Sequence, residues 1–481
     1  MKFESSFTSL SNFECPQWFK DAKFGIWSHW GPTSVPMYGD WYARGMYIQG
    51  HPQNLYHTRH YGHPSKFGFK DICQLWKAEN FDPEGLMELY YKAGARYFVG
   101  QAMHHDHFFN YPSRYNKFNS TNMGPMKDIC GLWRDAAKKY NLPFGLSEHL
   151  MASFAWFSVN KGCDSKGMHA GVPYDGNDPM YKDYYHENIE HYTPDGDVIG
   201  WYTKNEKHRA YYVNVIKEII DLYQPELLYV DGVVPFGDKG ETNEAEFKEG
   251  LETAAYLYNS SIRLHGQNRA IYQQKDQRPE IYNIGILDVE KTQLGGVHDK
   301  PWQVCTCIGG WFYDVKEKYK EPAQIIEMLV DIVSKNGCLL LNIPQLPDGT
   351  IDDEATFLLN ELAKWNLCCS EGIYKTTPWR VYSEGSNRAS TDEFTETPVA
   401  WDETDFRFTQ KGDELYAFIM KPPENGTVVI RSLLPGEVVR SIRLLGGGEL
   451  EFSQAFGVLT VKLPDKLPTN YVNCMAIKIN K

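Results

Sequence analysis

Between residues 23 and 344, short apolar runs repeatedly end in polar or ionisable groups. The runs are Lys23–Trp30, Ala95–Met103, Leu142–His149, Leu227–Gly232, Ala270–Lys275, Ile284–Glu290, Gln303–Ile308 and Gly337–Pro344. They are too short for core helices and apolar on successive positions, the pattern of strands buried on both faces. Amphipathic stretches with helical spacing separate them. One runs from Lys127 to Lys139 with Ile129, Leu132, Trp133 and Ala136 on one stripe, and another from Glu206 to Tyr223 with Tyr212, Val215, Ile216, Ile219 and Ile220. Further helices are predicted near Pro83–Ala93, Glu244–Tyr258 and Ala323–Lys335. Strand and helix in alternation predict βαβ units on a parallel sheet, and seven to eight strands over about 345 residues fit an α/β fold of the (β/α)8-like type, regular or irregular, better than an open sheet.

After a helix over Asp353–Cys368 and a segment around Trp379, the pattern changes. Short alternating runs (Phe406–Phe408, Glu414–Met420, Thr427–Arg431, Ile442–Leu445, Gly457–Lys462, Asn473–Ile479) are separated by Gly, Pro and Asn turns, which predicts an antiparallel β-sandwich. The expected division is a barrel over residues 1–375 and a sandwich over 376–481. A polar, aromatic excursion from about Trp156 to Tyr202 exceeds ordinary connections, and such insertions are usually functional; one wall of a pocket is expected there.

Composition narrows the function. A formal charge of −13 and the absence of a basic stripe argue against a nucleic acid partner. No run reaches the roughly 18 apolar residues of a membrane span. Ten cysteines lie scattered, mostly in apolar runs and without C-x-x-C pairs, which reads as buried thiols rather than a zinc site or disulfide framework. The N-terminal MKFESSFTSL lacks the apolar core of a secretory signal, and the compartment stays open. Aromatic residues make up 14% of the chain, with 13 Trp and 31 Tyr. Such content suits a site that stacks on the C–H faces of sugars, and equally a barrel with a bulky core.

In (β/α)8 barrels the site lies at the C-terminal ends of the strands, where these polar residues fall. Asp231, at the end of Leu-Leu-Tyr-Val-Asp-Gly, is the first catalytic candidate, although a strand-ending Asp also caps helices or starts turns. Glu290 and Asp288 follow on one run. They are two apart, so an extended segment points both the same way and spacing does not choose between them. The bland reading of Glu290 is a loop carboxylate paired with Lys291. His29 and the pair His104-His105 could be core histidines, metal ligands or hydroxyl partners. A divalent-metal barrel hydrolase places an H-x-H pair on its first strand, which here carries only His29, so sugar hydroxyls are the stronger reading. Two separated carboxylates at an aromatic barrel mouth fit glycoside hydrolysis, one attacking the anomeric carbon and one protonating the leaving oxygen.

The segments KFGIWSHWGPTSVPMYGDWY, AGARYFVGQAMHHDHF, KDICGLW with LPFGLSEH, LLYVDG, PWQVCTCIGGW, LVDIVSKNGCLLLNIPQLPDGTI and EGIYKTTPWRVYSEG resemble, in order, the α-L-fucosidases of glycoside hydrolase family 29. The resemblance implies a (β/α)8 barrel followed by a β-sandwich, and retaining, exo-acting release of terminal α-L-fucose from a fucosylated glycan without metal or cofactor. It implies Asp231 as nucleophile, with Tyr229 where the family usually has Trp. It implies His29, Asp40, Trp41, His104 and His105 as fucose contacts, and Glu290 as acid/base in a segment that departs from the family's D-x-E-R-G at Lys291 and Thr292. Trp311 is a further candidate for the pocket wall. His107, where Gly or Asn is commoner, is expected to border the pocket, whereas Cys338 and Pro344 belong to strand packing. A related α-L-glycosidase such as an α-L-galactosidase, a metal-dependent barrel hydrolase and a glycan-binding protein without catalysis are the competing classes. Linkage preference and oligomeric state are left open.

Overall fold

The computed structural model describes residues 2–198 and 200–480. Eight parallel strands close into a barrel: β1 (Phe24–Ser28), β2 (Phe98–Gln101), β3 (Phe144–Glu148), β4 (Leu227–Val230), β5 (Ile271–Gln274), β6 (Ile286–Glu290), β7 (Trp302–Cys307) and β8 (Gly337–Asn342), with β8 pairing back onto β1. Each overlaps a predicted run; His149, Asp231 and Lys275 lie just beyond the ends of their strands, whereas Glu290 still belongs to the ladder, paired with Cys305. The register is continuous, for example Ile26 beside Phe98 and Leu341.

The helices pack outside the strands. Pro83–Ala93 starts with Asp82 as N-cap, its carboxylate accepting from the Gly85 N–H, and ends on Gly94 at φ +114°, a left-handed position that suits a residue without Cβ. Ile129–Lys139 begins later than expected because Asp128 caps it through the Gly131 N–H at 2.9 Å. Glu206–Tyr223 appears as predicted, whereas the Glu244 helix opens with a 3-10 turn, Glu244–Phe247, before Lys248–His265.

The C-terminal region is two antiparallel sheets. One orders as β13-β16-β11-β10-β9, from Val438–Leu444, Asn473–Asn480, Glu414–Ile419, Phe406–Lys411 and Thr377–Glu384; the other as β12-β15-β14, from Thr427–Ile430, Val458–Lys462 and Phe452–Ala455. Their inner faces bury Phe408, Leu415, Ile430, Leu459 and Ile477 in a core separate from that of the barrel. β9 and β14 were not predicted. The first opens on Thr377-Pro378 and alternates weakly, and the second reads Phe-Ser-Gln-Ala, half exposed. A buried ion cluster ties the sandwich to the barrel: the Arg407 guanidinium on β10 pairs with Asp331 on the helix Pro322–Ser334, and Lys335 completes it at 2.9 Å. Removing one partner of such a cluster costs about 3–5 kcal/mol. Among the described residues, no helix is long and apolar enough to cross a membrane.

Candidate active site

The barrel strands open at their C-terminal ends into one cavity of about 760 Å³, within the range of small-molecule sites. Its walls include His29, Asp40, Trp41, His104, His105, Tyr229, Asp231, Asp288, Glu290 and Trp311, residues separated by as much as 282 positions between His29 and Trp311.

Asp231 leaves the end of β4, where Gly232 turns the chain at φ +153°. A Cβ at Gly232 would sit 2.6 Å from Tyr202 Oη, so the turn requires glycine. The Gly232 carbonyl accepts from the Lys275 N–H at 2.7 Å, which docks the end of β5 beside β4. Lys275 Nζ consequently lies 2.5 Å from Asp231 Oδ1 and 2.5 Å from Glu290 Oε2. One ammonium bridging both carboxylates limits the separation of those oxygens to twice 2.5 Å, at most about 5.0 Å. The other oxygen of Asp231 lies 3.3 Å from His105 Nε2 and 3.6 Å from His149 Nε2. Burial pushes the Asp231 carboxyl up, but Lys275, His149 and His105 together outweigh it and hold the group well below the usual carboxylate range. Burial likewise opposes the charge on Lys275, and Asp231 and Glu290 hold its ammonium well above the ordinary value.

The competing carboxylate is in a different environment. Asp288 is fully buried, and both its oxygens are occupied: Oδ1 accepts from Gln303 Nε2 at 2.8 Å, and Oδ2 from Tyr229 Oη at 3.2 Å and Cys305 Sγ at 2.9 Å. Burial pushes its carboxyl up to about 7, against the pull of Lys275. Glu290 pairs with Lys275 rather than with Lys291, and its side chain keeps 18% exposure at the cavity. Lys291 instead sits 5.2 Å over the Trp311 ring. Tyr229 is buried, its ring 4.4 Å from Trp27, so its hydroxyl serves Asp288.

The other side of the floor is histidine. His29 is fixed by its N–H to Asn342 Oδ1 at 2.8 Å and by Trp27, 4.0 Å between ring centroids. His149 faces His29 with 3.4 Å between their Nε2 atoms, and its Nδ1 bonds the Met103 carbonyl at 3.3 Å. Burial above all, and then neighbouring imidazoles, depress His29 and His104 well below the ordinary value. Burial does the same at His149 despite the pull of Asp231. Neutral rings both donate to and accept from hydroxyls. His29 Nδ1 is buried without a hydrogen-bond partner, a cost that an incoming polar group relieves. Ring nitrogens of His29, His104 and His149 all lie within 4.8 Å of one another, so the same three residues could also hold a metal ion.

Trp41 adopts φ +56°, an uncommon backbone for a bulky residue, and exposes its indole over the opening, 39% accessible and stacked 6.3 Å from Trp201. Its N–H donates to Asp40 Oδ1 at 2.7 Å. Burial, reinforced by Asp231 and Glu290, pushes the Asp40 carboxyl up to about 7.

One expectation is corrected. His107 does not border the cavity. Its backbone at φ +62° turns the ring into the core, where Nδ1 bonds the Tyr184 carbonyl at 2.8 Å and Nε2 meets Tyr211 Oη at 2.9 Å. Conversely, His149, Lys275 and Trp201 reach the cavity and were not singled out, nor were Lys239, Glu393 and Phe394 at its rim. The first two end strand runs in the same manner as Asp231 and were open to the same reasoning. Trp201 falls in the excursion expected to form a wall, and Tyr202 joins it there. Glu393 and Phe394 carried no sequence signal.

Residues 1–368 match the family model described as alpha-L-fucosidase, and residues 401–479 match its C-terminal domain. The chain belongs to the α-L-fucosidase family. It is similar to the tissue alpha-L-fucosidase of Mus musculus, 27% identical over 482 residues, covering 97% of this chain and 92% of that one. The tissue alpha-L-fucosidase of Macaca fascicularis is 27% identical over 460 residues, covering 94% and 85%. Among solved structures, a Thermotoga maritima alpha-fucosidase in complex with fucose shares the fold with a TM-score of 0.74 at 24% identity, over 99% of this chain and 100% of that chain. A trapped covalent intermediate of a Bacteroides thetaiotaomicron family 29 alpha-L-fucosidase, 16% identical, superposes at 0.68 over all of both chains.

Proposed function

We propose that this α-L-fucosidase family member releases terminal α-L-fucosyl residues from glycans with retention of configuration, Asp231 acting as nucleophile and Glu290 as acid/base. The carrying observation is the pair of carboxylates held on one ammonium with oxygens at most about 5.0 Å apart. Retaining pairs sit about 5–5.5 Å apart and inverting pairs about 6.5–9.5 Å, which leaves room for a water in the inverting case only. A carboxylate kept ionised by Lys275 and two histidines is suited to attack; Glu290, open to the cavity, is better placed than the enclosed Asp288 to exchange protons with a leaving oxygen.

In the first step Asp231 bonds to the anomeric carbon as the glycosidic C–O bond breaks, and Glu290 gives its proton to the departing oxygen. In the second, Glu290 takes a proton from water, whose oxygen replaces Asp231 on the same carbon. His29, His104, His105, Asp40 and Trp41 hold the sugar, and Trp311 closes the wall beside His29, 5.0 Å between ring centroids. Residues 1–375 act as the catalytic unit and 376–481 as its sandwich. The trapped intermediate in the Bacteroides relative is consistent with this order of events. The test is hydrolysis of an aryl α-L-fucoside followed by proton NMR: α-fucose as the first product supports the reading, and β-fucose refutes it. Turnover unchanged after EDTA dialysis assigns the three imidazoles to hydroxyls, whereas loss restored by a divalent ion assigns them to a metal.

A further inference from the structure

Between β9 and β10 the chain leaves the sandwich and crosses back over the barrel mouth. Glu396 pins this strap: its Oε2 accepts from Thr306 Oγ1 at 2.8 Å, just inside the end of β7, and pairs with Lys320 Nζ at 3.0 Å. Trp401 Nε1 donates to Glu327 Oε2 at 2.9 Å on the helix Pro322–Ser334. Between Ser390 and Glu396 the strap folds into a turn, the Thr395 N–H bonding the Asp392 carbonyl at 3.2 Å. The turn presents Glu393 and Phe394 to the cavity. Phe394 is 65% exposed and adopts φ +58°, a conformation costly for an aromatic residue and tolerated where its surroundings hold it. Lys239, from the connection after β4, and Gln277, from the connection after β5, line the same cavity.

We propose that Phe394, Glu393 and Lys239 form the binding site for the leaving-group saccharide, so that the C-terminal region selects what the fucose is attached to. One cavity of about 760 Å³ is lined both by His29, His104 and His105 and by Phe394, Glu393 and Lys239. An exposed aromatic face matches the C–H face of a pyranose, and a carboxylate and an ammonium lining the same cavity match its hydroxyls. A purely apolar aglycone would leave both charges unpaired on desolvation. Contacts to a non-reacting part of the substrate raise its kcat/KM without assisting the bond-breaking atoms themselves.

The inference rests on the fucosidase reading, and the experiment separates the two. Wild type and Phe394→Ala are assayed on α-L-fucosyl fluoride, which has no sugar aglycone, and on α-1,2-, 1,3-, 1,4- and 1,6-fucosyl disaccharides. The ratio of kcat/KM on the best disaccharide to that on the fluoride is expected to fall about tenfold in Phe394→Ala, through KM. Glu396→Gln, which loosens the strap without altering its tip, is expected to lower the same ratio. A ratio within about twofold of wild type in Phe394→Ala overturns the proposal, as does a wild type that cleaves the fluoride and no disaccharide. Cleavage of neither substrate refutes the fucosidase reading itself.

Discussion

The floor of the cavity consists of side chains at and just beyond the ends of barrel strands, while other lining side chains come from long connections and from a strap in another part of the chain. His29 is locked by Asn342 of β8, and Asp231 by Lys275 after β5. Phe394, by contrast, sits on a turn of the strap that is anchored through Glu396, two residues along, and through Trp401. On the floor, burial and neighbouring imidazoles depress His29, and Lys275 with two histidines holds Asp231 well below the usual carboxylate range, whereas the strap aromatic is largely exposed. On the proposed function this difference is a division of labour: barrel closure gives the proposed reacting groups a fixed geometry, and the side chains on connections and strap would meet the rest of the substrate.

Variants on the floor are expected to affect every substrate, including the fluoride, and that is how the contrast can be broken. The largest of these effects is expected at Glu290. Glu290→Ala should lower turnover of disaccharides by about 10²–10⁴-fold. Azide should restore turnover of an activated fucoside by replacing the deprotonated water, with α-fucosyl azide as product. A variant that azide does not rescue would remove Glu290 from the acid/base role.

Lys275→Met should have the next largest effect, visible in pH dependence. Burial alone raises the Asp231 carboxyl, and Lys275 is the strongest influence opposing it. Without the ammonium the carboxylate takes up its proton at higher pH, so the acid limb of the kcat/KM profile moves upward. An unmoved limb would mean that Lys275 does not set the charge of the nucleophile.

The smallest effect is expected at Asp40, where floor meets rim. Its carboxyl is displaced to about 7, so in the wild type KM should change as Asp40 loses its proton between about pH 6 and 8. Asp40→Asn should flatten that dependence while the acid limb set by Asp231 stays. A KM that keeps its inflection in the variant would assign the titration elsewhere.

The same division explains what could be read from sequence. Barrel strands are buried on both faces, so their apolar runs are conspicuous, and an ionisable residue that ends one has few places to go except the mouth. Asp231, Glu290, His29 and His104 all lie on the cavity wall. Lys275 ends its run equally clearly, but a cation after Gln273-Gln274 looks like a solvated loop residue until closure brings carboxylates from 44 and 15 positions away onto it. His107 misled because position alone does not reveal a positive φ that turns a ring inward. The strap was illegible for a different reason. Its residues follow no period, and Glu396 reaches Thr306 across 90 positions.

The account stands or falls on Asp231 forming a bond to the sugar. Incubation with 2-deoxy-2-fluoro-α-L-fucosyl fluoride, followed by intact-mass measurement and peptide mapping, tests this directly. One fluorofucosyl unit per chain, on the peptide containing Asp231 and absent from Asp231→Ala, is the predicted result. A label on Glu290 or Asp288, or stoichiometric labelling that survives in Asp231→Ala, would contradict it.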